Sequence, residues 1–283
     1  MFKKKPIYGL FSLTDRSLQI YLLREGEGAL LDSFYIPEGL VADGQLKDPA
    51  HFFYLLKKWT QDWARGTYRV WLVVASSYFS EDLLRQGDLA RPLKDLGQAL
   101  PKDLEAAYGG LFSKLGLDLL GVLPREVLVL SGLKKEPSPL TAFDLTLSHR
   151  SFYALSQGTY FSRTQLARPL MDLVNDKGLD YGSLAYLLGE AYDGKVLHIQ
   201  IEDLREDFNR ALVYNFQALM EQKRAYPFRD IGPLVLVGPL FEPPFDQVLS
   251  FYLGQGLDIS YLGEPALLGS LGEALFKNVF DKA

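Results

Sequence analysis

The chain has 283 residues, 48% of them hydrophobic, and a net charge of −5 with both signs interspersed. That length and apolar content suffice for two lobes around a buried core, and the charge balance gives no global basic footprint for nucleic acid. The absence of cysteine excludes disulfides, iron–sulfur clusters and cysteine zinc sites, and His51, His149 and His198 lack the paired spacing of a histidine metal site.

Lys3–Lys5 form the one cationic cluster, read as a solvated start or as a weak tether to an anionic membrane surface. No signal-peptide core follows them. The longest uncharged apolar run, Ile231–Phe241, is short for a bilayer and is interrupted by Pro233 and Pro239. A soluble, cytoplasmic protein is the expectation.

Strand-like runs Ile7–Leu13, Ser17–Leu23 and Ala29–Tyr35 form a first meander, with a Thr14-Asp15 turn. A glycine-punctuated loop, Pro37–Lys47, leads to Asp48-Pro49, an N-cap followed by proline at the first helical position. Phe52, Leu56, Trp59 and Trp63 then repeat at helical spacing, and Gly66 ends the helix. Tyr68–Ala75 is apolar enough for a strand covered on both faces. Residues 80–100 carry helical pieces broken at Gly87, Pro92 and Gly97, Pro101–Gly116 is helical, and Val127–Leu130 reads as a strand.

Lys134–Pro139 is the linker candidate. Beyond it the first outline repeats: a strand from Leu140 to Asp144, a turn at Thr146–His149, a strand Ser151–Leu155 and a third, Thr159–Arg163. One or two helices in Pro169–Leu188 and a long amphipathic helix, Lys195–Lys223, follow. Ile231–Val237 and Asp258–Leu262 read as strands, Phe245–Leu253 as helix, and Glu264–Phe280 as a closing helix. Two meanders, each followed by helix, indicate a duplicated α/β unit.

No P-loop, no dinucleotide fingerprint and no nucleophile elbow is present, and sequence order alone singles out no triad. The paired turns and the Val237-Gly238 junction are what remains. Residues 8–26 (YGLFSLTDRSLQIYLLREG), 142–163 (AFDLTLSHRSFYALSQGTYFSR), 234–254 (LVLVGPLFEPPFDQVLSFYLG) and the closing GSLGEALF resemble, in order and spacing, the actin-like ATPase superfamily. The PilM family of type IV pilus assembly proteins is the most similar branch. The resemblance implies a fold of two actin-like lobes, each a mixed five-stranded sheet with helices. Residues 1–82 are the first lobe, 83–136 a reduced inserted subdomain, 137–263 the second lobe, and 264–283 a closing helix returning to the first. It places ATP with Mg between the lobes, near Asp144, Thr146, Ser148 and Gly238.

The departures from the family pattern point away from catalysis. Phe11 stands where the first-strand acid is expected and Leu13 where its glycine is, Thr146 replaces the glycine of the second turn, and Pro239 removes a backbone donor. A vestigial nucleotide site with no catalytic residue and no resident metal is therefore expected. The resemblance further implies a cytoplasmic scaffold, peripheral at the inner membrane face of a type IV pilus or type II secretion machine. Its partner would be the cytoplasmic N-terminal segment of a bitopic, PilN-like membrane protein, held in a groove between the first lobe and Leu83–Gly132, with other platform or motor proteins as further partners. An ATP-binding switch of the same fold is the alternative. A sugar or metabolite kinase would need a general-base carboxylate beside the cleft, and none is singled out.

Overall fold

Both expected meanders are present in a computed structural model of the chain, which describes residues 6–24, 27–61, 63, 68–77, 102–134, 136, 139–156, 159–192, 199–225, 233–241 and 259–280. In the first half, β1 (Ile7–Leu13), β2 (Ser17–Arg24) and β3 (Glu27–Tyr35) pair antiparallel in succession. Next come a small hairpin, β4 (Val41–Ala42) and β5 (Gln45–Leu46), helix α1 (Pro49–Thr60), β6 (Tyr68–Val74), α2 (Lys102–Lys114), β7 (Leu117–Pro124) and α3 (Arg125–Leu133). The second half has β8 (Leu140–Leu145), β9 (His149–Ser156) and β10 (Thr159–Leu166). Helices α4 (Arg168–Lys177), α5 (Tyr181–Tyr192) and α6 (Ile199–Ala225) precede β11 (Leu234–Val237), a single 3₁₀ turn, β12 (Ile259–Leu262) and α7 (Glu264–Phe280).

The two sheets have the same topology. Their strand orders are β3-β2-β1-β6-β7 and β10-β9-β8-β11-β12, each an antiparallel meander continued by two parallel strands. This is the two-lobe, duplicated α/β architecture read from the sequence. Asp48 caps α1 as its spacing implies, Oδ1 accepting from the His51 N–H at 3.0 Å with Pro49 inside the first turn.

Strand alternation builds a layered body. On β1, Leu10 faces one core and Phe11 another; on β8, Ala142 and Phe143 divide the same way. One outer core lies under α1 and α2, and the other under α4, α5 and α6. Between the sheets sits a central core in which α3 packs on α7 and both sheets contribute, including Leu10, Val73, Ala142 and Val235. Gly132 lets the two helices approach closely, since a side chain there would run into Leu267 and Leu262.

Two expectations are corrected. Val127–Leu130 is helical, the middle of α3, because Pro124 ends β7 and the run is buried on every side in the central layer, where apolar periodicity cannot distinguish strand from helix. The stretch 83–136 is not all insertion either: β7 hydrogen-bonds in parallel to β6, so it and α3 complete the first lobe. The expected helical pieces of 80–100 and the helix Phe245–Leu253 lie outside the described residues.

The central layer holds one isolated acid. Glu126 is buried; its Oε1 accepts from Thr164 Oγ1 at 2.8 Å, and Oε2 has no hydrogen-bond partner among the described residues. Burial, reinforced by the nearby Asp144 charge, pushes its carboxyl from 4.5 up to about 7. The native state therefore holds this proton more tightly than the unfolded chain, so its contribution to stability declines as pH rises from about 4.5 through 7. Glu126→Gln removes that decline. Urea unfolding at pH 8 is expected to show the variant more stable than the native chain by roughly 3 kcal/mol, with the gain gone near pH 4.5. Parallel pH profiles for the two proteins would refute the assignment.

Candidate functional site at the junction of the lobes

The turns β1–β2 and β8–β9 meet at the centre of the molecule, and they have the same hydrogen bonding. The Thr14 N–H donates to the Ser17 carbonyl at 2.8 Å, as Thr146 does to His149 at 2.8 Å. Thr14 Oγ1 accepts from the Arg16 and Ser17 N–H groups, as Thr146 Oγ1 does from Ser148 and His149. The N–H of Ile36 donates to Arg16 and that of Ala167 to Ser148. These correspondences equate Ser12-Leu13-Thr14 with Asp144-Leu145-Thr146. The counterpart of Asp144 is thus Ser12 and not Phe11. Phe11 matches Phe143 and points the other way, packing against Trp63 and Phe112.

Ser12 and Asp144 both face a guanidinium. Arg125, the first residue of α3, grips Asp144 with two bonds, Nε to Oδ2 at 2.8 Å and NH2 to Oδ1 at 2.9 Å. It also grips Glu264, the first residue of α7, with NH1 to Oε1 at 2.9 Å and NH2 to Oε2 at 3.2 Å. NH1 lies 3.3 Å from Ser12 Oγ. All three charged residues are buried. Burial works against the Arg125 charge, but the two carboxylates outweigh it and hold the guanidinium firmly protonated. Bidentate pairing on both sides is what makes such burial tolerable; removing one partner of a buried pair typically costs about 3–5 kcal/mol. Gly238, at φ +98°, closes the site: a Cβ there would come within 2.8 Å of Asp144 Oδ1 and 3.0 Å of the Leu145 carbonyl.

A second polar network crosses the junction beside this clamp. The Asp15 carboxylate accepts the N–H groups of Asp43 at 2.8 Å and Gly44 at 3.1 Å, which form the tip of the β4–β5 hairpin. Asp43 (φ +51°) and Gly44 (φ +77°) both adopt left-handed backbone, the type I′ pattern for which Asp-Gly is suited. The Asp15 N–H in turn donates to Ser148 Oγ at 3.1 Å across the lobes. Ser148 Oγ is 2.8 Å from His149 Nδ1, and His149 Nε2 is 3.1 Å from Asp43 Oδ1. Because a carboxylate only accepts, Nε2 carries a proton toward Asp43, and Nδ1 faces the Ser148 hydroxyl. Ser77 completes the network with its hydroxyl and N–H on Asp43.

The order Ser148–His149–Asp43 has the connectivity of a nucleophile, base and acid. Its surroundings do not suit that chemistry: Ser148 is fully buried and its oxygen already accepts the Asp15 N–H, so no substrate carbonyl can reach it. Nor do the residues fit a nucleotide with a divalent cation. Phosphate binding at such turns needs free, convergent N–H groups. Here the Thr14, Asp15, Arg16 and Ser17 donors, and those of Thr146 through His149, are all bonded within the chain, the Leu147 N–H to Tyr181 Oη at 3.0 Å. The carboxylates of Asp144 and Glu264 are held by Arg125, that of Asp15 by the Asp43 and Gly44 N–H groups, and that of Asp43 by Ser77 and His149.

The structure brings together Asp144, Thr146, Ser148 and Gly238, the four positions expected at the site, although Thr146 and Ser148 point into internal bonds. Arg125, Glu264, Asp15, Asp43 and His149 were not singled out from sequence. A signal existed for one of them: Glu264 opens the helix that follows the fifth strand of its repeat. Asp43-Gly44 carried a turn signal as well, inside what reads as a plain loop.

Asp43 supplies a test of the network. Burial raises its carboxyl, but the hydrogen bonds from His149 and Ser77 prevail and bring it from 3.8 down to about 2. Its stabilisation is therefore present above pH 3.8 and is lost as pH falls through about 2. Asparagine tolerates the left-handed turn, so Asp43→Asn isolates the charge. The variant is expected to be about 1 kcal/mol less stable at pH 6, after allowing for the solvent contact of this half-buried group, and to converge with the native chain near pH 2 in acid unfolding. A deficit that does not change between pH 6 and 2 would sink this account.

No protein-family model and no curated protein sequence matches the chain. Solved structures do. The ethanolamine utilization protein EutJ from Carboxydothermus hydrogenoformans aligns over 96% of this chain and 90% of its own, with TM-score 0.58 and 13% identity. A chain of a PilM-PilN type IV pilus biogenesis complex aligns over 97% of this chain and 98% of its own, with TM-score 0.56 and 14% identity. At these identities the likeness establishes the fold: the chain is a two-lobe α/β protein with the architecture of the actin-like ATPases.

Proposed function

We propose that this chain is a non-catalytic scaffold of a type IV pilus or related secretion platform, working at the inner face of the cytoplasmic membrane. The observation that carries the reading is the Arg125 clamp: a guanidinium of the chain bridges Asp144 and Glu264 between the lobes, near the residues where the resemblance puts cation and phosphate in a catalytic member. The lobes are thereby held together without a ligand, which suits a protein that presents a surface and does not turn over a substrate.

That surface has a defined groove. Between α1 and α2 lies a cavity of about 420 Å³ lined by Pro49, Phe53, Tyr54, Ala107, Leu111 and Lys114, with Tyr54 68% exposed. It falls between the first lobe and the stretch 83–132, where the resemblance to the PilM family placed a partner segment. An exposed aromatic beside apolar walls and one cation suits an extended peptide with one or two apolar anchors and an acidic residue. The proposed occupant is the cytoplasmic N-terminal segment of a bitopic membrane protein, PilN-like in character, and the PilM-PilN complex among the structural neighbours is consistent with it. Other platform components would use the remaining surfaces. Among the described residues no helix is long and apolar enough to cross a membrane, so membrane association would run through this partner.

Two measurements test the reading. Titration of the purified protein with N-terminal peptides of bitopic platform proteins is expected to find one that binds, and Tyr54→Asp is expected to weaken it by about tenfold or more while leaving the melting temperature unchanged. No binding by any such peptide, or equal binding by the variant, would overturn it. Second, millimolar Mg-ATP is expected to leave the melting curve within about 1 °C, whereas a ligand at 100 times its Kd would add about 2.7 kcal/mol of apparent stability. A clear upward shift would favour the nucleotide-switch alternative.

A further inference from the structure

The second lobe carries a basic groove that the reading above does not use. Two cavities share Arg150 and Gln165 as a common wall. The larger, about 540 Å³, runs between β9–β10 and the C-terminal part of α6, with Phe152, Phe161 and Ala218 as apolar lining and Arg163 on its rim. The smaller, about 380 Å³, lies where β10 gives way to α4, and Arg168, Pro169 and the half-exposed Tyr214 line it.

The state of Arg150 gives the groove its chemistry. It is half-buried, yet its hydrogen-bond partners are neutral: NH1 donates to Asn215 Oδ1 at 3.1 Å and NH2 to Gln165 Oε1 at 3.3 Å. Its guanidinium lies 5.9 Å from the centre of the Tyr214 ring. Nε is buried with no hydrogen-bond partner, and no carboxylate pairs with Arg150 among the described residues. The contrast with Arg125, whose charge is met by two carboxylates, is direct. Arg163 and Arg168 are exposed and likewise have no ion-pair partner among the described residues. Arg168 stands at the positive end of α4. Glu221 is the one acid lining the two cavities, so three arginines face one carboxylate in a chain whose net charge is −5.

We propose that this double groove is a second docking surface, built for an acidic peptide segment with at least one aromatic or aliphatic side chain. Carboxylates of the peptide pair with the guanidinium forks of Arg150, Arg163 and Arg168, and an apolar side chain covers Phe161. The recessed, apolar floor selects a peptide over a flat anionic membrane, which would meet the rim charges and leave the floor empty. The groove is on the opposite lobe from the α1–α2 cavity, so both can be filled at once, and its use does not depend on the scaffold reading.

The test uses a fluorescein-labelled peptide of about ten residues, rich in Asp and Glu with interspersed Phe and Leu, and its counterpart with Asn and Gln at the acidic positions. Anisotropy at low salt is expected to show the acidic peptide binding at least tenfold tighter, because rim charges contribute mainly when unscreened. Arg163→Glu and Arg168→Glu, both at exposed positions, are each expected to weaken it about fivefold or more with an unchanged melting temperature, and Tyr54→Asp is expected to leave it intact. Equal binding of the two peptides, or binding indifferent to both charge reversals, overturns the proposal. So does arginine-dependent sedimentation with phosphatidylserine vesicles in the absence of peptide binding, which would assign the surface to a membrane.

Discussion

The fold turns on a charge arrangement at its centre. A guanidinium buried between two carboxylates is held by four short contacts, and each member lies at the end of a different element: Asp144 near the end of β8, Arg125 at the start of α3, Glu264 at the start of α7. Desolvating three charges is expensive, and only mutual pairing with good geometry offsets it. The sheets, the central helix pair and the hairpin turns must therefore all stand in register for the charges to be matched. Apolar packing accounts for the layers. The clamp fixes how the lobes meet.

Duplication explains why such an arrangement is available. Equivalent positions of the two repeats, Ser12 with Asp144 and Arg125 with Glu264, converge where the halves face each other. Had both copies kept an acid at these places, four carboxylates would have crowded together and required an external cation. In this chain one copy supplies a hydroxyl and a cation, the other two acids, and the charges are matched within the chain. The adjoining network follows the same rule, with Asp15 taking backbone donors of the Asp43-Gly44 turn that a bound anion would otherwise have to satisfy.

The architecture was legible in the sequence because alternation and turn chemistry act locally: both meanders, the Asp48 cap and the Glu264–Phe280 helix are where their residues imply. What escaped was long-range. Val127–Leu130 is apolar on all sides because it lies between two sheets, so its period does not declare a helix. Ser12 was off by one from the expected position because only the hydrogen bonds of the turn, not the residue pattern, fix which side of β1 faces the junction. Asp144 and Gly238 could be located from the strands they lie at the end of, whereas Arg125 could not: an arginine after a strand looks like any surface cation until its partners, distant in sequence, are in view.

That distance has a kinetic meaning. The clamp joins residues 113 and 139 positions apart, and the Asp15–Ser148 bond spans 133. Contacts of such sequence separation form late, after the entropy of closing the intervening loops has been met. Until then a half-folded chain exposes bare charges and an unfilled helix layer at the face of whichever lobe is ahead, and the central core is incomplete in either lobe without the other. The clamp therefore makes the two repeats, each a complete sheet with its own helices, a single cooperative folding unit.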